Sequence, residues 1–414
     1  MSESAILFWA TTDIGRVRKH NEDSFLIDKK RNLFIVADGM GGHAAGDVAS
    51  QMATKEFREA LLEDSAVGAA IETQSAKEQR GSILFGLEGA VQRACSAVFG
   101  AGEADPSKRG MGTTLDALLI VGHRGFIAHV GDSRVYLYRQ GAVHQLTEDH
   151  SVLNELRRRG KMSREQIEAL DYKNAVTRAI GVYQSVEPDV FDFDVLPGDR
   201  FLLCSDGLYE YFEEHELGRL FAETPDEALS EKLVALANER GGKDNITALV
   251  VRIPEAHGKF VELAEEVNLK LELLHRIPLF RFVSYQELVR VLNITTTRTY
   301  AAGEPIVHEG DEGDEFFVVL RGHVRVHSGD NTLAELRMGQ HFGEMALIDS
   351  SPRSASVTAV TESRLLSIRR SEFYALIAKE HAIATKLLWS FCGVLAQRLR
   401  ATSEQLAALK ADKN

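Results

Sequence analysis

Acidic side chains stand at five places in the first half of the chain where a hydrophobic run stops or a turn begins. They are Glu22 and Asp23 in Arg18-Lys-His-Asn-Glu-Asp23, Asp38 in Val36-Ala-Asp-Gly39, Asp132 in Gly131-Asp-Ser-Arg134, Asp206 in Cys204-Ser-Asp-Gly207 and Asp244 in Gly242-Lys-Asp-Asn245. A single Asp-Gly pair is an ordinary turn. Several acidic positions that directly follow hydrophobic strands are another matter, because like charges brought together repel unless cations lie between them. The donors are all oxygens, and neither His nor Cys recurs at comparable spacing, which selects Mg²⁺ or Mn²⁺ over zinc. Two such ions about 4 Å apart can activate a bridging water and neutralise a phosphoryl group under in-line attack.

A second constellation lies in Phe342-Gly-Glu-Met-Ala-Leu-Ile-Asp-Ser-Ser-Pro-Arg-Ser-Ala-Ser356. Glu344 can accept a hydrogen bond from a ribose hydroxyl, and Arg353, nine residues on, can pair a phosphate. Gly343 permits close backbone approach. A short helical turn near Ala346 and Leu347 would aim N–H groups at the anion. These are the needs of a cyclic nucleotide.

The elements that must hold these groups are partly legible. From about residue 5 to 252, β-rich runs alternate with helical stretches. Strands are expected at Leu33–Ala37, Thr114–Val121, Gly125–Val130, Val135–Arg139, Arg200–Cys204 and Thr247–Ile253. Helices are expected at Ala45–Glu63, Ile83–Phe99 and Glu227–Arg240, and a Ser163-x-x-Gln166 capping box opens another inside 151–180. Strands outnumber those of a strict βαβ alternation, so the fold class is mixed α/β with stacked layers. After a seam at 254–258, Phe260, Ala264, Val267, Leu271 and Leu274 recur along one helix face. From about 296 to 370, glycines such as Gly303, Gly310, Gly322 and Gly339 punctuate short strands, which suggests a small barrel or jelly roll. A helical stretch from about 372 to 411 carries Leu388, Phe391, Leu395, Thr402, Leu406 and Leu409 along one stripe, which could pair two chains into a homodimer or pack on its own domain. The expected division is 1–253, a linker helix at 254–276, and 277–414.

Residues 8–252 resemble the metal-dependent Ser/Thr protein phosphatases of the 2C class in their compact bacterial form. The resemblance rests on eight blocks: Gly15-x-x-Arg18-x-x-Asn21-Glu-Asp, Ala37-Asp-Gly-Met-Gly-Gly-His43, Gly110-Met-Gly-Thr-Thr114, Gly131-Asp-Ser-Arg134, Leu146-Thr-Glu-Asp-His150, Thr177-Arg-Ala-Ile-Gly181, Ser205-Asp-Gly207 and Asp244-Asn-Ile-Thr247. It implies two central antiparallel sheets flanked by helices, with two or three Mg²⁺ or Mn²⁺ ions between loops at one edge. By that resemblance Asp38 bridges two metals, Asp206 and Asp244 complete one site, and Glu22 and the Gly39 carbonyl serve the other. Asp132 belongs to a third, weaker one. Asp23 and Asn245 orient the surrounding groups, Arg18 grips the phosphate and His43 is the acid for the leaving oxygen. The run Arg157-Arg-Arg159, in the position of the family's variable flap, could meet phosphoprotein substrates or simply face solvent.

Residues 277–370 are similar to the cyclic-nucleotide-binding domain family, whose phosphate cassette would comprise Gly343, Glu344, Met345, Ala346, Arg353 and Ser354. The C-terminal helix resembles that of the bacterial catabolite activator protein, which implies contacts from Thr402 and Ser403 to adenine, one of them from a partner subunit, and favours cAMP over cGMP. The chain lacks that protein's DNA-binding helices.

Composition narrows the alternatives. Residues 1–250 hold 28 Lys/Arg against 40 Asp/Glu, and residues 251–414 hold 20 against 21, so no basic footprint for nucleic acid exists. No apolar run approaches the roughly 18–20 residues of a membrane helix, and the first residues carry no basic region of a signal peptide. Three scattered cysteines fit a reducing cytoplasm. Two rival readings remain at this point: a nucleotide-reading scaffold with a vestigial phosphatase fold, and a phosphatase whose C-terminal domain only docks or dimerises. The complete acidic set argues against the first, and intact Glu344 and Arg353 against the second.

Overall fold

The strand Leu33–Met40 shows how the first unit is built. Its run Leu33-Phe-Ile-Val-Ala37 is buried residue after residue, which a strand sustains only when both of its faces are covered. Leu33 and Ile35 join a core with Ala49, Ala53, Phe57, Leu87 and Val91 of the helices Gly46–Glu63 and Arg80–Ala104. Phe34 points to the opposite face, its ring centre 5.8 Å from that of Phe8 in a second sheet.

The computed structural model describes residues 6–40, 45–74, 76, 79–159, 175–255 and 259–411. In it, one sheet runs in the order Asp23–Asp28, Leu33–Met40, Leu115–Val121, Arg124–Val130, Asp189–Asp194, with the short Gly112–Thr113 beside Leu33–Met40. The other runs Leu7–Asp13, Ile246–Arg252, Arg200–Cys204, Arg134–Arg139, Ala142–Gln145. All neighbours are antiparallel. Phe193 and Phe201 meet across the sheets at 5.7 Å. The outer face of the second sheet is covered by Glu214–Glu223 and Asp226–Glu239 through Leu217, Phe221, Leu229 and Leu233. The layers are helix, sheet, sheet, helix.

Antiparallel order has a direct consequence for chemistry. The C-terminal ends of Leu33–Met40, Arg124–Val130 and Arg200–Cys204 fall at the same edge as the N-terminal ends of Asp23–Asp28, Leu115–Val121 and Ile246–Arg252. Acidic residues placed at those ends converge.

Besides the two-residue Gly112–Thr113, four strands of the first unit escape the sequence reading: Leu7–Asp13, Asp23–Asp28, Ala142–Gln145 and Asp189–Asp194. Their polar content hides them. Asp192, for example, is fully buried in Asp189–Asp194 because Arg80 and Arg124 both bond its carboxylate. The helices Ser65–Thr73, capped by the Asp64 side chain, and Glu214–Glu223 are likewise unanticipated. The expected capping box at Ser163 and Gln166 lies outside the described residues.

The second compact unit spans residues 262–414. Two four-stranded antiparallel sheets face each other: Thr295–Tyr300, Ser363–Arg369, Glu315–Arg321, His341–Phe342, and Pro305–Val307, Ser356–Ala359, His323–Ser328, Asn331–Arg337. Tyr300, Phe317, Val319, Val324, Val357 and Leu365 fill the space between them. This is a β jelly roll with helices at its ends. In the helix Lys259–Arg276, Val267, Leu271 and Leu274 are buried. A capping box between Ser284 and Glu287 opens Tyr285–Leu292.

The long helix His381–Ala411 corrects the expected stripe. Phe391 is buried, its ring 6.3 Å from that of Phe373 in the same unit. Among the described residues of that helix, the exposed large apolar side chains are Leu388, Trp389, Leu395 and Leu399, at 60%, 71%, 38% and 70%. Among the described residues, no helix is long and apolar enough to cross a membrane.

Candidate functional site

The strand ends bring Asp23 and Asp38 directly opposite one another in the register of their two strands. Asp38 is fixed through its backbone: its N–H donates to Thr114 Oγ1 at 2.8 Å, and its carbonyl accepts from Thr113 Oγ1 at 2.8 Å and Thr114 N at 2.9 Å. The block Gly110–Thr114 therefore serves to hold Asp38. Its carboxylate lies within hydrogen-bonding reach of Asp206.

Gly39 and Gly46 let the helix Gly46–Glu63 approach this edge. A β-carbon on Gly39 would lie 2.1 Å from the Gly46 carbonyl oxygen, and one on Gly46 would lie 2.6 Å from Glu22 Oε2. Glu22 is thus set against the start of that helix, where negative charge is favoured. Its carbonyl accepts from Ser50 Oγ at 2.6 Å and Gly39 N at 3.2 Å.

The loop carrying Arg18 and Glu22 is held by one buried amide. Asn245 Nδ2 donates to the carbonyls of Ile14 at 3.0 Å and His20 at 2.9 Å, while its Oδ1 accepts from Glu22 N at 2.8 Å. Gly15, at φ +83°, passes so close that a β-carbon there would lie 2.2 Å from the Asp244 carbonyl oxygen. Arg18 is half-exposed and its Nη2 pairs Asp244 at 2.5 Å. Its guanidinium is held above its ordinary value first by that hydrogen bond.

Asp23 faces inward. Its Oδ2 accepts from Ser205 Oγ and Thr247 Oγ1, both at 2.7 Å, and Thr247 Oγ1 pairs Thr12 Oγ1, which accepts from Asn21 Nδ2. Thr12, Gly46 and Ser50 are site residues that the sequence reading missed, and Thr114 and Ser133 stood there only inside the motif blocks, with no role of their own. Thr12, Thr114 and Ser133 reach the acidic set through the strands they lie on or beside, and Gly46 and Ser50 through the helix Gly46–Glu63.

The charges of this edge repel one another. Burial pushes the Asp23 carboxyl up to about 7, against the hydrogen bonds from Thr247 and Ser205. Burial, then Asp206 and Asp149, brings Asp132 up to about 7, and burial, then Asp244, brings Asp206 to about 6. Asp38 is driven well above the carboxylate range by burial, then by Asp23, Asp206, Asp132 and Asp244. Glu22 is raised by burial, with Arg18 opposing. Among the described residues, buried Asp23 Oδ1 and Asp206 Oδ1 have no hydrogen-bond partner.

Hard cations fit this set: oxygen donors, excess negative charge and orphaned carboxylate oxygens. Among the described residues, no three His, Cys, Asp or Glu side chains form a closed ligand group on their own. An ion held here would complete its shell with water, as Mg²⁺ usually does. His43 lies outside the described residues. The helix Val152–Arg159 contains Arg157–Arg159, whose side chains are also outside them.

Asp132 sits in a loop tied on both sides. Ser133 Oγ pairs Thr114 Oγ1 at 2.8 Å. Arg134 forms a bidentate pair with Asp149 at 2.8 and 2.7 Å and lies over the Tyr209 ring at 3.6 Å.

In the second unit, a pocket of about 460 Å³ is lined by Gly343, Glu344, Met345, Ala346, Arg353 and Ser354, with apolar Val307, Val326 and Leu336. Gly343, at φ +76°, opens the short helical turn Glu344–Leu347. A β-carbon on Gly343 would lie 2.6 Å from Arg353 Nη1, and one on Gly313 would lie 2.9 Å from its Nε. Arg353 Nη2 donates to the Glu315 carbonyl at 2.7 Å, and no carboxylate among the described residues forms an ion pair with it. Burial lowers its guanidinium from the ordinary value. Asp314 and Glu315 oppose that shift through space, but a partly dry cation with no ion pair among the described residues, next to the start of a helical turn, suits an anion. A neighbouring pocket of about 330 Å³ reaches Phe391, Val394 and Gln397 of the long helix. Ser403 is exposed and is not among the residues lining either pocket, and the Thr402 side chain lies outside the described residues.

Residues 15–243 match the family model of protein phosphatase 2C, and residues 297–380 match that of the cyclic nucleotide-binding domain. The chain belongs to the protein phosphatase 2C family, as a metal-dependent Ser/Thr protein phosphatase that also carries a cyclic nucleotide-binding domain. The serine/threonine phosphatase stp of Listeria innocua is 40% identical over 246 residues, covering 58% of this chain and 93% of the relative. Protein phosphatase PhpP of Streptococcus pneumoniae is 36% identical over 248 residues, or 59% and 96%. Among solved structures, the serine/threonine phosphatase of S. agalactiae matches with a TM-score of 0.54 at 33% identity, covering 60% of this chain and 99% of that one. The catalytic domain of the phosphatase PstP, solved with two manganese ions, matches with a TM-score of 0.50 at 34% identity, covering 61% and 99%.

Proposed function

We propose that this protein removes phosphate from phosphoserine and phosphothreonine in proteins with two or three Mg²⁺ or Mn²⁺ ions, under control of a cyclic nucleotide, cAMP in preference to cGMP. The observation that carries the catalytic half is the convergence of Asp38, Asp132, Asp206 and Asp23 at one edge, each held above the ordinary carboxylate range. Asp38, Asp206 and Asp244 hold one ion. Asp38, Glu22 and the Gly39 carbonyl hold another, and Asp132 contributes to a third. When bound, such ions lower the pKa of water and neutralise the phosphoryl charge. Arg18, half-exposed beside Asp244, binds and orients the phosphoryl oxygens through its planar fork. His43 gives the proton to the departing serine or threonine oxygen. Asp23 and Asn245 keep the loops in place.

Metal titration and hydrolysis of phosphopeptides test this half. Activity needs Mn²⁺ or Mg²⁺ and stops with EDTA, and Asp38→Ala abolishes turnover with the fold retained. Wild-type-like turnover by that variant overturns it.

The regulatory half is supported by Arg353, a half-buried cation that forms no ion pair among the described residues and lines the same pocket as the Gly343–Leu347 turn. The cyclic phosphate lies against that turn and Arg353, and Glu344 accepts from the ribose hydroxyl. Titration with labelled cAMP and cGMP, with phosphatase assays at each dose, tests it. Unchanged activity at saturation with both nucleotides removes the regulatory role. Three free thiols accord with action in the cytoplasm. The exposed Leu388, Leu395 and Leu399 favour a homodimer through the long helix. A monomeric mass by light scattering at micromolar concentration, with and without cAMP, counts against it.

A further inference from the structure

The segment Arg16-Val-Arg-Lys-His20 is exposed from end to end. It carries three cations in a half of the chain where acidic residues outnumber basic ones by 40 to 28. Elsewhere in that unit, Arg80, Arg124, Arg139 and Arg200 each pair a carboxylate. Arg16 and Lys19 form no ion pair among the described residues.

A second segment extends the strip. Arg16 N donates to the Gly242 carbonyl at 2.7 Å. A β-carbon on Gly15 would lie 2.8 Å from that same oxygen, and one on Gly242 would lie 2.9 Å from Arg16 Cγ. The loops 15–20 and 240–244 therefore run side by side. Lys243 is exposed and also forms no ion pair among the described residues, while its N–H donates to Tyr211 Oη at 2.9 Å. Arg240 is already engaged, by Glu216 and the Phe212 ring. Lys243 directly precedes Asp244, which Arg18 pairs at 2.5 Å. Arg16, Lys19 and Lys243 thus stand on the same two segments as that guanidinium and its carboxylate.

The backbone under these side chains is pinned. Asn245 Nδ2 holds the carbonyls of Ile14 and His20, one at each end of the strip. Asp13, the nearest carboxylate before it, is occupied: its Oδ1 accepts from Gly15 N at 2.8 Å and Asn238 Nδ2 at 3.0 Å. Unpaired cations gathered at one place attract anions and repel other cations. In an extended peptide, residues two or three places from a phosphorylated one lie about 7–10 Å from it, within reach of side chains as long as Arg and Lys.

We infer that Arg16, Lys19 and Lys243 form a docking surface for anionic residues flanking the phosphorylated serine or threonine, so that phosphosites set among acidic side chains or further phosphates are favoured. The inference rests on the reading of Arg18 as the phosphate grip at the metal edge. Glu22 and Asp244, the carboxylates on the same two segments, are in that reading covered by cations and do not oppose an anionic substrate.

The test uses the full chain with saturating Mn²⁺ and phosphothreonine peptides of one length, flanked by glutamate, by a second phosphothreonine, by alanine or by lysine. Exposed ion pairs contribute little each, so glutamate flanks raise kcat/KM about three- to tenfold over alanine, mainly through KM, and lysine flanks lower it. The preference shrinks between about 0.05 and about 0.5 M salt. R16Q/K19Q/K243Q reduces it to within about twofold while turnover of p-nitrophenyl phosphate persists. K19E/K243E favours lysine flanks, an inversion that no merely structural role produces. A gain from the second phosphate alone narrows the partner to multiply phosphorylated segments. Wild-type enzyme indifferent to every flank overturns the inference, as does a triple variant that keeps the preference. Loss of p-nitrophenyl phosphate turnover in the triple variant makes these side chains part of the fold or the site and ends their role as a flanking surface. Loss of binding to phosphatidylserine vesicles in that variant, with peptide selectivity unchanged, assigns the strip to a lipid surface instead. If wild type hydrolyses neither p-nitrophenyl phosphate nor any peptide, the phosphatase reading itself fails.

Discussion

Replacing Asn245 by alanine would detach the loop that carries Arg18 and Glu22 without touching a carboxylate. Asn245 is 4% exposed, and its side chain makes three hydrogen bonds, to Ile14 O, His20 O and Glu22 N. Each such bond contributes about 1 kcal/mol net, so the loss approaches about 3 kcal/mol if the three groups stay dry. For a domain of this size that lowers the melting temperature of the first unit by roughly 6–12 °C. The kinetic effect follows from what the loop carries. Arg18 loses its fixed approach to the phosphoryl oxygens, which raises KM by about tenfold for some 1.4 kcal/mol of lost binding. Asn245→Asp is the sharper probe. It keeps the acceptor for Glu22 N–H but turns an oxygen on the Ile14 and His20 carbonyls and adds charge next to Asp244, so it should impair KM at least as much as alanine does. Scanning calorimetry and steady-state kinetics on a phosphothreonine peptide with saturating Mn²⁺ measure both effects. Wild-type KM and melting temperature in the two variants would falsify the claim that this amide holds the loop.

Arg353→Ala should weaken cAMP binding at least tenfold, since about 1.5–3 kcal/mol is lost per charge-assisted bond, while basal phosphatase activity persists; undiminished affinity by fluorescence titration refutes the role. Gly15→Ala should lower stability and activity together, because φ is +83° and the new carbon would meet the Asp244 carbonyl at 2.2 Å; an active, stable G15A enzyme contradicts the close approach. In metal-free protein, Asp23 and Asp132 at about 7 and Asp206 at about 6 lie above their ordinary value of 3.8. The folded chain then binds more protons than the unfolded one between those limits, so stability falls as pH rises through that window. Melting curves in EDTA should drop from pH 5 to pH 8, with Mn²⁺ restoring more at pH 8; a rise over that range refutes the repulsion.

The sequence by itself determined the chemistry at both ends of the chain. Hydrophobic runs that stop at Asp38, Asp132 and Asp206 are readable because a strand buried on both faces has to be apolar throughout, so the first carboxylate after it marks the edge. Gly343, Glu344 and Arg353 stood out by their spacing around a short turn, and the structure lines one pocket with all three. The strands Asp189–Asp194 and Leu7–Asp13 were not legible, since their polar residues are paid for by partners such as Arg80 and Arg124 that lie far off in sequence. The stripe on the last helix showed the same limit: periodicity cannot tell Phe391, which packs on Phe373, from Leu388 and Leu399, which face solvent. Only the tertiary structure decided that Asn245 holds the loop 14–22, that Thr114 fixes Asp38, and that His150 closes on Gly131. Each of these contacts joins residues brought together by antiparallel pairing across 19 to 231 positions of chain. A side chain's hydrogen-bonding capacity is written in its type, but the partner that uses it is set by the fold.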